Sequence, residues 1–163
     1  MKLDQKRVKT ILKKRGMSPE QIAWEIDCEQ NKVWQALQGE AASSYLCHMI
    51  AAVLNVRLDW LCGQQHRMRM DYATLSRAHT LIMLEIDARQ TALAGLFKQH
   101  LQGREEKMPQ ILVLHEKAER LLGLEEKIRH RKSVKEKRIL AQKRKRAREQ
   151  SEKNVAQAER EEI

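Results

Sequence analysis

Helix stop signals crowd the first third of this chain and then nearly vanish. Gly16, Gly39, Asn55 and Gly63 each close a short run with helical periodicity, whereas Arg67 to Leu101 holds no Pro and no Gly except Gly95. Short helices followed by very long ones are the consequence. With 6 Gly and 2 Pro in 163 residues, a strand-and-turn architecture is not expected. Aromatics at 4% and charged residues at 33% suit a small core carrying long solvated helices. The expected fold class is therefore all-α. Residues 1–63 form a domain of five short helices, 64–128 a long helical hairpin or coiled coil, and 129–163 a basic helix or disordered tail.

Local chemistry supports the five short helices. Arg7 to Arg15 carries Val8, Ile11 and Leu12, and Gly16 stops it. In Ser18-Pro19-Glu20-Gln21, Ser18 is an N-cap, Pro19 suits the first helical position and Gln21 completes a capping-box pattern. Ile22, Ala23 and Ile26 form the apolar side of that second helix, and Asp27-Cys28-Glu29 is a tight turn. A third helix, from about Gln30 to Gln38, points Val33 and Leu37 inward and ends at Gly39. Ser43 or Ser44 caps a fourth with Leu46, Ile50 and Leu54, which Asn55 closes. In "RLDWLCG", Leu58 and Leu61 share a face that completes the core, with Trp60 at its edge.

The third helix exposes Gln30, Asn31, Lys32 and Gln35, side chains whose donors and acceptors match base edges in a major groove. A reading helix needs a bracing helix at a fixed angle, which Ile22, Ala23, Ile26, Val33 and Leu37 would provide. Glu29 suits a helix N-terminus better than a contact to cytosine. Residues 7–63 resemble the lambda-repressor-like (XRE-type) helix-turn-helix family. The resemblance is carried by Ile22-Ala23, Asp27, Val33 and Gly39 in one register, and by the close "IAAVLNVRLDWLCG". It implies a DNA-binding domain with Gln30, Asn31, Lys32 and Gln35 reading bases, and Ser18, Ser43 and Ser44 near the backbone. Departures from the family pattern are Pro19 in place of a phosphate-contacting Gln, Asp27 in place of a turn Gly, and Leu12 with Leu37 in place of an ion pair. Trp34 stands where a small or polar residue is usual; a groove wall, a thymine methyl and a protein interface are its open readings.

Beyond Gly63 the pattern is a heptad stripe. Leu75, Ile82 and Leu96 fall on one seven-residue repeat, interrupted by Arg89; His79, Ile86, Leu93 and His100 fall on a second. Gly103 reads as a stop, Glu105 and Glu106 as helix-N-terminal charges, and Pro109 as the first turn of a further helix. Ile111, Leu114, Ala118, Leu121 and Ile128 form that helix's stripe. A helix over 67–101 is roughly 50 Å long at about 1.5 Å per residue, too long to bury its stripe on the small domain alone. Leu75, Ile82, Ile86, Leu93, Leu96, Ile111, Leu114, Leu121 and Ile128 are therefore expected at the seam of a homodimer or homotetramer. His79 and His100 would make assembly pH-dependent if they met there.

Charge is localised. Residues 127–149 hold twelve Lys/Arg and two Asp/Glu, which equals the net charge of +10 of the whole chain. Arg129, Arg131, Lys132, Lys143, Arg144, Lys145, Arg146 and Arg148 are the expected nucleic-acid contacts of this segment, to DNA phosphates or to RNA.

The three cysteines, Cys28, Cys47 and Cys62, have no metal-ligand spacing and read as reduced thiols. No phosphate loop, HExxH or nucleophile–base set is visible, so neither enzyme activity, metal nor cofactor is expected. The polar N-terminus and the absence of an apolar run near ~20 residues point to the cytoplasm, with no membrane partner. The expected function is a sequence-specific transcriptional regulator of phage, prophage or plasmid type, acting as a homo-oligomer on double-stranded DNA. The alternatives are a DNA-marking assembly protein such as a phage small terminase subunit, or an antiterminator that binds RNA through the basic segment; RNA or RNA polymerase are the further partners these readings allow.

Overall fold

A computed structural model describes residues 1–102 and 107–161. They form seven helices in the order α1 (Gln5–Arg15), α2 (Pro19–Glu25), α3 (Gln30–Leu37), α4 (Ser44–Leu54), α5 (Leu58–Leu61), α6 (Tyr72–Leu101) and α7 (Met108–Glu161). No strand occurs among the described residues; a single bridge pairs Val56 with Arg69.

The short helices begin and end where their caps dictate. Asp4 caps α1 by accepting from Lys6 N and Arg7 N, and Gly16 closes it at φ 63°. Ser18 and Gln21 form the full capping box of α2, with Pro19 in the first turn. Ser43, not Ser44, caps α4, and Asn55 closes it at φ 53°. Gly39 ends α3 at φ 85°, and a Cβ there would sit 3.2 Å from the Leu3 carbonyl oxygen. Only glycine accommodates both that backbone and that approach. Asp27, in the turn between α2 and α3, takes φ 48°, a conformation in which Asp is among the tolerated residues.

α4 is the spine of the core, with Cys47, Met49, Ile50, Ala51, Ala52 and Leu54 buried. Around it pack Val8 and Ile11 of α1, Ile22 and Ala23 of α2, Val33, Ala36 and Leu37 of α3, and Leu58 and Leu61 of α5. Trp60 lies at the edge, half-buried under the Arg7 guanidinium at 5.5 Å.

The long helices depart from expectation in three ways. First, α6 starts at Tyr72 rather than Arg67, because Asp71 is its N-cap and accepts from Thr74 N. Residues 67–70 run extended beside the α4–α5 connection, where Arg57 N donates to Met68 O at 3.1 Å. Second, the segment from residue 129, expected as a basic helix or a disordered tail, is helical and starts no new element: it is part of α7. That helix continues unbroken to Glu161, about 80 Å at 1.5 Å per residue, through the expected boundary at 128/129. Gly103, Glu105 and Glu106, read as the stop and start between the long helices, lie outside the described residues.

The third departure concerns the seam. α6 packs on α4 as well as on α7, and α2 also meets α7. Leu75, Ile82 and Ile86 of α6 and Leu121 and Ile128 of α7 are buried in the same continuous core as the first five helices. Ile111 is buried as well. The chain itself covers these residues, so they need no second copy to bury them. A heptad stripe records that a helix face is apolar, and here the cover comes from α4 and from the antiparallel pairing of α6 with α7. The antiparallel sense is visible in Tyr72 bonding Glu136 while His79 bonds Glu125. Leu93, Leu96 and Leu114, farther from α4, are only half-buried. From Glu136 to Ser151 every α7 residue is exposed, and beyond Gln142, the last α7 residue in contact with the groove described below, the helix projects from the fold.

Candidate nucleic-acid interface

The exposed face of α3 follows from which of its residues are consumed by the core. Val33, Ala36 and Leu37 are buried, so the helix must turn Gln30, Asn31, Lys32, Trp34 and Gln35 outward, and all five are exposed. Trp34 is 49% exposed, a large aromatic left half-open to solvent. Two of the polar side chains have acidic partners. Gln30 Nε2 donates to Glu20 Oε1 at 2.8 Å, and Lys32 Nζ pairs with Glu29 Oε1 at 2.9 Å. The hydrogen bond and charge of Glu29 raise the Lys32 ammonium above its ordinary value. Glu29 makes no side-chain cap bond to α3, so its carboxylate serves Lys32.

The three serines are occupied by local work. Ser18 Oγ accepts from Gln21 N at 3.3 Å, Ser43 Oγ accepts from Leu46 N at 3.1 Å, and Ser44 Oγ lies 3.3 Å from His48 Nδ1. Ser43 and Ser44 are exposed beside the loop that follows α3. That loop is held by the terminal ammonium of Met1, which donates to Ala42 O at 2.6 Å.

The expected basic contacts divide into two groups. Arg131 Nη1 donates to Ala52 O at 2.7 Å, and Lys132 lies 5.7 Å from the centre of the Tyr72 ring, so both help seat α7. Arg129 is exposed beside Glu125 at 3.7 Å. Lys143, Arg144, Lys145, Arg146 and Arg148 stand exposed on the projecting helix, where Lys145 meets Glu149 at 3.7 Å.

Sequence reasoning missed a second concentration of cations. Where α7 passes the end of α1, the α4–α5 connection and residues 67–70, it leaves an open groove of about 680 Å³. Arg15, Arg57, Arg67, Arg69, Arg131, Lys135 and Arg138 line it, with no carboxylate among the lining residues. Desolvation, then the charges of Arg69, Arg138 and Arg57, push the Lys135 ammonium down, against a smaller upward pull from Asp71. Burial likewise lowers Arg131. Arg131, Lys135 and Arg138 belong to the basic run 127–149 already read from the sequence; for the other cations the signal was the alternation Arg67-Met68-Arg69-Met70, whose arginines are exposed while Met70 is buried.

Also missed was the seat of the α2–α3 turn. Arg120 lies over the Trp24 ring at 5.6 Å and pairs with Asp27 at 3.5 Å, and Arg89 bonds the same carboxylate. The thiols of Cys28, Cys47 and Cys62 are free, and burial pushes each upward, away from the reactive thiolate. Among the described residues no group of three His, Cys, Asp or Glu is placed to hold a metal. No described helix is long and apolar enough to cross a membrane.

No protein-family model, curated protein or solved structure matches this chain.

Proposed function

We propose that this chain is a sequence-specific DNA-binding transcriptional regulator of phage, prophage or plasmid type that acts as a homo-oligomer. Its first 63 residues are a lambda-repressor-like helix-turn-helix domain in this reading, with α2 bracing α3 in the major groove. One observation carries it: α3 buries Val33, Ala36 and Leu37 and turns Gln30, Asn31, Lys32 and Gln35 outward as one polar face. Gln and Asn pair bidentately with adenine, and Lys with guanine, at about 1–3 kcal/mol of discrimination per good pair. On DNA, Gln30 exchanges Glu20 for a base and Lys32 exchanges Glu29. Those carboxylates also penalise an unmatched site, because like charges approach phosphate. No catalytic step is part of this reading.

Two heads on a symmetric operator require a second copy, and the covered heptad residues do not supply the contact. The exposed apolar side chains of the far end of the hairpin do: Phe97, Leu101, Met108, Leu112 and Val113, beside the half-buried Leu93, Leu96 and Leu114. Selection of bound sequences from a random duplex pool tests the proposal. An enriched motif that the Gln30→Ala and Gln35→Ala variants alter is the expected result; a pool that stays random sinks it. The projecting basic part of α7 favours an RNA-binding antiterminator as the second reading, with strong single-stranded RNA binding and no DNA motif as its signature.

A further inference from the structure

The groove beside α7 gathers cations that the sequence keeps far apart. Arg15 ends α1, Arg57 follows α4, Arg67 and Arg69 lie on the extended segment, and Lys135 and Arg138 come from α7. A solvated basic helix needs no such convergence from four parts of the chain. Bringing like charges together in a partly desolvated groove is unfavourable unless an anion enters, and low-dielectric walls concentrate the resulting positive field. Two carboxylates stand near: Asp71 and Asp59 both meet Arg57 Nη2, at 3.0 and 3.4 Å. Arg57 Nε is buried with no hydrogen-bond partner among the described residues. Arg67, Arg69 and Arg138 show no ion pair among the described residues either.

The shape of the cationic surface indicates what kind of anion fits. On α7, Arg131, Lys135, Arg138 and Gln142 line the groove at steps of four, three and four residues, which is one helix face. Lys145 and Arg146 extend that row onto the projecting helix. From residue 131 to 146 the row covers about 22 Å of axis at 1.5 Å per residue, or about six phosphates at 3.4 Å each. A small phosphorylated molecule would occupy a fraction of it. The apolar lining is Met68, Met70, Leu75, Val134 and Ile139, with no Phe, Tyr or Trp on which a run of bases could stack; His130 is the one aromatic ring in the lining. No α3 residue lines the groove.

We infer that the groove between α7 and the first five helices is a second nucleic-acid site, which grips a phosphodiester backbone without reading sequence. It works independently of the α3 face, so it does not rest on the regulator reading.

The test uses the full chain and the variant Arg67→Gln/Arg69→Gln/Arg138→Gln, whose side chains are exposed. Fluorescence anisotropy follows a random-sequence duplex, a single-stranded RNA of equal length, and tripolyphosphate as competitor. Between about 50 and 200 mM salt, neutralising three fewer phosphates at about 0.9 each should flatten the slope of log K against log salt by about 2.7 on duplex, and by about 2 on RNA. A flatter slope with duplex alone identifies DNA as the source of the backbone, and with RNA alone identifies RNA; either supports the site. The Lys-for-Arg triple variant should restore the slope, which separates missing charge from failed folding. Unchanged affinity and slope in the Gln variant overturn the proposal. So does tripolyphosphate binding as tightly as the polymers, which would mark a small-ligand site. The α3 variant Gln30→Ala/Asn31→Ala/Gln35→Ala should keep random-sequence binding; loss there alone assigns that binding to α3 and also overturns the proposal. A random pool that yields no motif would leave these slopes untouched.

Discussion

Asp27, in the turn between α2 and α3, accepts a hydrogen bond on Oδ2 from Nη1 of Arg89, sixty-two residues away on α6. Its other oxygen lies 3.5 Å from Arg120 of α7. The carboxylate is 8% exposed and the Arg89 side chain 14%, so the pair is held out of water. Each residue departs from a local pattern: Asp27 carries φ 48° where Gly is the easier choice, and Arg89 interrupts a heptad stripe. Each is the other's explanation. Arg89→Ala strips this carboxylate of its nearest cation and should destabilise the fold by about 3 kcal/mol. Asp27→Gly relieves the backbone and leaves Arg89 with Glu85 at 3.0 Å, so it should cost less. Urea denaturation of the two variants checks the order. A stabilised Asp27→Gly would mean that the pair contributes nothing.

What was legible in the sequence followed the range of the physics. Caps act within a few residues, so Gly16, the Ser18–Gln21 box, Asn55 and the inward set Val33 and Leu37 could be read from neighbours alone. The outward face of α3 was legible for the same reason. The partner of Asp27 was not, since nothing near residue 27 points to residue 89. Nor could periodicity say what covers Leu75, Ile82 or Ile128; an apolar stripe looks the same against α4 as against a second copy. Helix and tail both stayed open for the far part of α7 because it has no stripe, although Lys, Arg, Glu, Gln and Ala favour helix without one. The basic groove was illegible because its charges converge only in the folded chain.

Asp71 starts α6 and should give stability an acid limb. Burial alone would raise its carboxyl, but the hydrogen bond from Thr74 and the charge of Arg57 outweigh that and hold it below its ordinary value. A carboxyl depressed on folding contributes stability above its unfolded value, near 3.9, and loses it as pH falls through the lower folded value. Asp71→Asn keeps a capping side chain and removes the titration. The two proteins should therefore differ in melting temperature at pH 7, with the gap narrowing below about pH 4 and closing once pH falls past the lower folded value. A gap that persists in acid would contradict the assignment.

The covered and exposed apolar residues of the hairpin should behave oppositely. Ile82 is fully buried, so Ile82→Ala should cost about 2–5 kcal/mol in denaturation whatever the assembly state. Leu101 and Leu112 are 84% and 63% exposed. Leu101→Glu/Leu112→Glu should leave the fold intact and lower the mass seen by light scattering to that of one chain. An unchanged oligomer would move the interface elsewhere, and a mass already monomeric in the parent would remove it.

Truncation after Leu140 separates the projecting helix from the fold. Residues 141–151 are exposed, and the bonds that seat α7, from Arg131 to Ala52 and from Tyr72 to Glu136, survive the cut. Stability should stay within about 0.5 kcal/mol, as for changes away from packed features. Nucleic-acid affinity should fall and its salt slope flatten by several units, at about 0.9 for each phosphate no longer neutralised. A cut at residue 127 would be a poor substitute, because Ile128 belongs to the core.

Trp34 is the sharpest probe of the α3 face. It is 49% exposed, with Val33 buried before it and Ala36 and Leu37 after it, so the core does not use it. Its counterpart Trp24 is 61% exposed but has Arg120 over its ring at 5.6 Å. Trp34→Ala should leave the melting temperature within a degree or two of the parent, since surface changes stay within about 0.5 kcal/mol. Trp24→Ala should forfeit a cation–π interaction of about 0.5–1 kcal/mol and leave the α3 face intact. If α3 lies in the groove, Trp34→Ala should weaken operator binding about tenfold or more, the loss expected of a truncated aromatic hot spot at about 1.4 kcal/mol or above. Binding to random DNA should fall far less. Equal loss on operator and random duplex would place Trp34 against the backbone, and loss of the oligomer instead would place it between copies of the chain.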